Sequence, residues 1–197
     1  MRLPTLLAFL LVSCLPLAAQ GTFLIGRLEH DGTDFRIACT RVVLRGMTPE
    51  LQARLGEVVE IDGNTLAPWP APVVEVVAVR RSTSEFQLGG DARIGRALRF
   101  RVSSPTADTY YFLLHVEDAF TPLDAILPGF LHGTFWLELQ NVLVVSSGAF
   151  RGQWEVEKAI PNEPAFVGLT VFAQAAVGSP GAALLYLNSE CATLRAP

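Results

Sequence analysis

Between residues 167 and 177 every second side chain is aliphatic. Val167, Leu169, Val171, Ala173, Ala175 and Val177 fall on one side of an extended chain, and Gly168, Thr170, Phe172, Gln174 and Ala176 on the other. A period of two marks a strand with one face on a hydrophobic core. Pro161 and Pro164, just upstream, exclude a helix there. Such a strand needs partners, and the flanking sequence offers them. Residues 98–102 alternate, with Arg99 and Arg101 on the wet face, and residues 110–116 are a run of large apolar side chains suited to a central strand. Residues 134–139, 142–145, 153–159 and 182–188 continue the pattern. Gln140-Asn141, Ser146-Ser147-Gly148 and Gly178-Ser179-Pro180-Gly181 read as turns, and 119–133, with Pro122 and Pro128, as a long loop. Strands this short and this closely spaced predict an antiparallel β-sandwich over 82–197.

Residues 21–81 read as a separate small β unit. Asp31-Gly32 between two alternating runs predicts a hairpin whose return strand puts Phe35, Ile37 and Cys39 on one face. One helix follows, with Thr48 as N-cap, Pro49 in its first turn and Gly56 beyond its end; Leu51 and Leu55 share its inner face. Two more strands flank a proline-stiffened loop, Ala67-Pro68-Trp69-Pro70-Ala71-Pro72. Three strands, a short helix and two strands is the order of an oligonucleotide/oligosaccharide-binding (OB) barrel. The fold class expected is therefore all-β and mainly antiparallel: a small OB-like barrel with one short helix, then a β-sandwich.

Two resemblances accompany this reading. GEVVEIDGN, followed by PVVEVVAV, resembles the last two strands of minimal bacterial OB-like units, which often bind ligands on the face of their second and third strands. Residues 86–90, 98–102, 160–162 and 167–175, with their IPN…VGL…AQA pattern, resemble a β-rich module common in exported bacterial proteins of unknown function. The second resemblance implies a place late in a secreted chain and assigns no activity. The sequence departs from that pattern at Ser189-Glu190-Cys191.

The first twenty residues carry Arg2, an apolar run and then Ala18-Ala19, which predicts a secretory signal with cleavage near Ala19 or Gln20. A bacterial lipoprotein box ending at Cys14 is the minority alternative, since the apolar run continues past it. Beyond the signal no membrane span is expected, and a secreted, periplasmic or envelope location follows. In such a compartment Cys39 and Cys191 read either as one disulfide or as two separate buried thiols. The formal charge is −4 and neither half is basic, so no nucleic-acid partner is expected.

No nucleophile elbow, phosphate-cradling glycine loop or Cys-x-x-Cys pair is present, so no cofactor, no metal and no catalytic residue are assigned. The ligand-binding candidates are Trp69 in its proline loop, for sugar stacking, and Arg36, Arg41 and Arg45 on the OB-like face. Trp136 and Trp154 are expected in the core. The one enzymatic alternative is a hydrolase using His115 and Glu117, two residues apart on one strand face, with His132 folding back toward them. The leading expectation is a non-catalytic structural or binding module with a macromolecular or polysaccharide partner. A carbohydrate- or other ligand-binding module is the second reading.

Overall fold

The Asp31 side chain makes the first turn. Its carboxylate accepts hydrogen bonds from the Thr33 and Asp34 N–H groups at 2.9 and 2.8 Å, and Gly32 takes the left-handed conformation the turn needs. Those two N–H groups, and then the Arg36 guanidinium, hold the Asp31 carboxyl below its ordinary range. The turn joins β1 (Gln20–His30) to β2 (Phe35–Ile37); β3 (Val43–Arg45), helix α1 (Thr48–Gln52), β4 (Val58–Ala67) and β5 (Val73–Arg81) follow. In the computed structural model, which describes residues 20–126, 129–179 and 181–197, β1 to β5 close into a barrel in the order β1-β2-β3-β5-β4. β3 and β5 pair in parallel and every other pair is antiparallel, the OB-like arrangement expected. The expected leader, including Cys14, lies outside the described residues except for Gln20.

Two details of this unit differ from the sequence reading. The helix N-cap is Met47, in the left-handed region, and Thr48 is already helical. The helix is only five residues long, so Leu51 reaches the barrel core while Leu55, past the helix end, stays in water. Cys39 is not on the face of β2. It sits in the turn beyond it at a φ of 57°, which turns it away from the barrel interior.

The rest of the chain forms β6 (Glu85–Gly90), β7 (Ala97–Ser104), β8 (Thr109–His115), β9 (Asp118–Pro122), β10 (Leu131–His132), β11 (Thr134–Leu137), β12 (Leu143–Ala149), β13 (Gly152–Ala159), β14 (Thr170–Gly178) and β15 (Leu184–Thr193). A five-stranded sheet, β10-β15-β14-β8-β12, faces a three-stranded sheet, β13-β7-β6. Val171, Ala173, Ala175 and Val177 of β14 pack between them on Phe86, Phe100 and Phe112. The 119–133 stretch is not a loop throughout: it contributes β9 and β10, and β9 pairs with β11. Ser146-Ser147-Gly148 is no turn either, but the middle of β12.

The two flanks of the sandwich are built differently. On one, the Asn188 side chain of β15 imitates a strand. Its amide donates to the Phe86 carbonyl at 2.7 Å and its oxygen accepts from the Phe86 N–H at 2.8 Å, so the edge of β6 is stitched to the facing sheet. On the other flank β12 and β13, joined through Phe150, each have one unpaired edge among the described residues. A register shift between Val144 and Ser146 bends β12 there.

Barrel and sandwich share a core. Phe23, Ile25 and Val58 of the barrel belong to the sandwich cluster, while Trp136 of β11 is fully buried within the barrel cluster beside Leu24, Leu51 and Ile61. Gln174, also fully buried, places it: the amide donates to the Thr134 and Leu187 carbonyls at 2.8 Å each and accepts from the Trp136 N–H at 3.0 Å. Cys39 and Cys191 form a disulfide, with Cα atoms 5.6 Å apart, linking the β2–β3 turn to β15.

Close by, Arg27 of β1 donates to Glu85 at 2.7 Å and to Glu190 at 3.5 Å. Burial pulls the Arg27 pKa down, but the two carboxylates outweigh it and the net direction is up. For Glu190 burial wins over Arg27, so its carboxyl sits above the ordinary range. An acid raised in the folded state favours folding in its protonated form. Its contribution is complete below the unfolded pKa and is lost as pH rises through the folded one. The melting temperature should therefore fall between those two values, and E190Q should flatten that part of the profile. A Glu190→Gln profile parallel to wild type in calorimetry would refute the assignment.

Candidate functional site

The arginines proposed for the OB-like face are engaged with acids. Arg36 meets Asp31 at 2.5 Å and Asp34 at 4.0 Å, and Arg45 pairs with Asp34 as well. Arg41 lies over the Trp69 ring, 4.8 Å from its centroid, and reaches Asp118 of β9 at 3.1 Å. The structure thus brings Arg41 and Trp69 together and places Arg36 and Arg45 in a separate network around the Asp31 turn. Trp69 is 38% exposed, with one ring face covered by Arg41. Phe35, the aromatic of β2 next to Arg36, is buried in the barrel core. No row of stacking rings results.

The histidines are not brought together. Tyr110 of β8 is level with Val177, Leu185 and His132 across the sheet, and His115 lies five residues further along β8. Three strand spacings of about 4.8 Å and five residues of about 3.4 Å put the two imidazoles on the order of 20 Å apart. His115 Nδ1 instead accepts the Glu117 backbone N–H at 2.9 Å, a local turn contact. His132 stacks on Phe23, centroids 4.2 Å apart, and bonds Asp124 at 2.7 Å through Nδ1; the same carboxylate accepts the Gly133 N–H at 3.0 Å. This oriented His–Asp pair is the nearest approach to a catalytic dyad, and its ring rests on a phenyl rather than beside a nucleophile. Among the described residues no group of three or more His, Cys, Asp or Glu side chains is placed to hold a metal ion. Nor, among them, is any helix long and apolar enough to cross a membrane.

The most apolar concavity lies elsewhere. Where the sandwich is unstitched, a cavity of about 530 Å³ opens between the sheets. Its depth is formed by Leu98, Phe100, Val171 and Leu194, and its mouth by Leu143 and Val144, both more than half exposed. Small-molecule sites are concave, mostly apolar and about 300–1,000 Å³ in volume. Lys158 is the single charged residue of this lining and the only lysine in the chain.

Cross-strand pairing fixes where Lys158 lies. Trp154, Val156 and Lys158 of β13 stand opposite Val102, Phe100 and Leu98, all three buried, so they share the inward face of the three-stranded sheet. Glu155 and Glu157 are on the outer face and both pair with Arg99, at 3.3 and 2.8 Å. Lys158 has no ion-pair partner among the described residues. Trp154, expected in the core, is 45% exposed, because no strand among the described residues pairs with the outer edge of β13. The sequence reading passed over this cavity. The one local signal for it is a lysine in phase with Trp154 and Val156 in WEVEK, a charge set on the face that ought to be dry.

A search against protein-family models, curated proteins and solved structures found no match to this chain.

Proposed function

We propose that the protein is an exported, non-catalytic binding module that takes an apolar ligand between the two sheets of its sandwich. The observation that carries this reading is the cavity of about 530 Å³ between the unpaired edges β12 and β13. An apolar surface left open to water in a fold that closes its opposite flank so carefully is a recurrent mark of a ligand site. Export is supported by the leader-like first twenty residues and by the Cys39–Cys191 disulfide, which is consistent with an oxidising extracellular compartment. The Trp69 loop supports a sugar-binding reading less well, since one face of its ring is already taken.

The test is titration with the neutral apolar dye N-phenyl-1-naphthylamine. Saturable binding at one dye per chain is expected, with blue-shifted emission, and V144W at the cavity mouth should weaken it at least about tenfold while leaving the melting temperature nearly unchanged. Absence of saturable binding, or binding indifferent to V144W in a folded protein, would overturn the reading.

A further inference from the structure

We infer that the ligand of this cavity is a single-chain amphiphile with an anionic head, carboxylate or phosphate, whose head pairs with Lys158. The inference rests on the cavity being a binding site, and adds the chemistry of what enters it. Three observations converge. The lining is aliphatic and aromatic except at one point, so it can desolvate a hydrocarbon chain and little else. At 530 Å³ it lies in the lower half of the range for small-molecule sites, room for one acyl chain. The one cation sits on the inner face of an edge strand with no carboxylate of the described residues engaging it, while both adjacent glutamates are committed to Arg99.

The surroundings fix the polarity of the ligand. A second groove adjoins the cavity across Leu114, Val116 and Leu143, and its rim carries Glu117 and Glu138 beside His115. Carboxylates there disfavour an anionic head on that side and leave the Lys158 side as the exit. Lys158 is exposed and borders the cavity, so its flexible stem can follow apolar surface while its ammonium stays in water, which suits a head held at the mouth rather than in the depth.

An inward charge on an edge strand has another known use, blocking edge-to-edge association. The two roles separate by experiment. Competition against bound N-phenyl-1-naphthylamine is measured at neutral pH with octanoate, decanoate, laurate, dodecyl phosphate and dodecanol, on wild type, K158Q and K158R. Affinity should rise about fourfold per added methylene until the cavity is full. Laurate or dodecyl phosphate, or both, should compete about tenfold better than dodecanol on wild type and on K158R, and equally with it on K158Q. Whichever anion competes better identifies the head. Equal competition by dodecanol on wild type, or an anion preference that survives in K158Q, overturns the inference while leaving the cavity's binding role intact. A K158Q protein that dimerises with its competition profile unchanged assigns Lys158 to edge protection and overturns it too. Failure of the dye itself to bind refutes the binding reading, and the inference with it.

Discussion

Removing the Cys39–Cys191 bridge is expected to lower the melting temperature by roughly 10–20 °C. The cysteines are 152 residues apart, so the bridge closes most of the chain into one loop. The chain-entropy model gives about 5 kcal/mol for a loop of that length. For a protein of this size each kcal/mol moves the midpoint by about 2–4 °C. The bridge also ties the turn after β2 to β15, and so holds the barrel against the sandwich where Arg27, Glu85 and Glu190 meet. Calorimetry of the C39A/C191A double variant, and of wild type with and without reductant, checks it. A shift under about 3 °C would mean that the shared core alone fixes the two units, and that the denatured chain gains little freedom from the cut.

Trp136→Ala is expected to cost about 3–5 kcal/mol, the usual range for deleting a large buried ring. This indole comes from β11, outside the barrel strands, yet it fills the barrel cluster and is fully inaccessible. Its truncation therefore empties the barrel and loosens the contact with the sandwich together. W136F should cost far less. Among the described residues the Trp136 ring N–H has no acceptor, so the phenyl removes an unpaired donor along with some volume. Urea unfolding followed by far-UV dichroism tests both. A Phe variant as unstable as the Ala variant would show that the indole's shape, rather than its bulk, seats β11 on the barrel.

These two expectations rest on contacts that sequence periodicity does not reveal. Alternation located the dry face of β14 from Val171 to Val177. It started the strand too early: β14 begins at Thr170, and Val167, which lies before it, is 45% exposed. Pro164–Phe166 form a short 3-10 turn, which a proline in the first turn permits. Alternation also found the turn at Asp31-Gly32 and the residue order of the barrel. It failed where the outcome depends on what lies opposite. Trp154 has the inward register of a core residue, but no strand among the described residues covers its flank, and so it stays wet. Ser146-Ser147-Gly148 looks like a turn because an uncovered edge strand tolerates small polar residues. Gln174 appeared as a polar member of the mixed face, whereas it is fully buried and its amide holds three backbone groups across two sheets. The cavity is the extreme case: it is a property of two edges, β12 and β13, that fail to meet. The histidine cluster failed for the complementary reason. Proximity along the sequence, from His115 to His132, was undone by a sheet order that sets β8 and β10 three places apart.

The asymmetry between the flanks gives the sandwich a mechanical character. On the proposed binding role, the Asn188 amide ties the sheets together at β6, while β12 and β13, whose outer edges are unpaired among the described residues, could part around a guest with no break in backbone pairing. On that reading guest exchange would need only side-chain rearrangement at the lips and would be decoupled from unfolding of the shell.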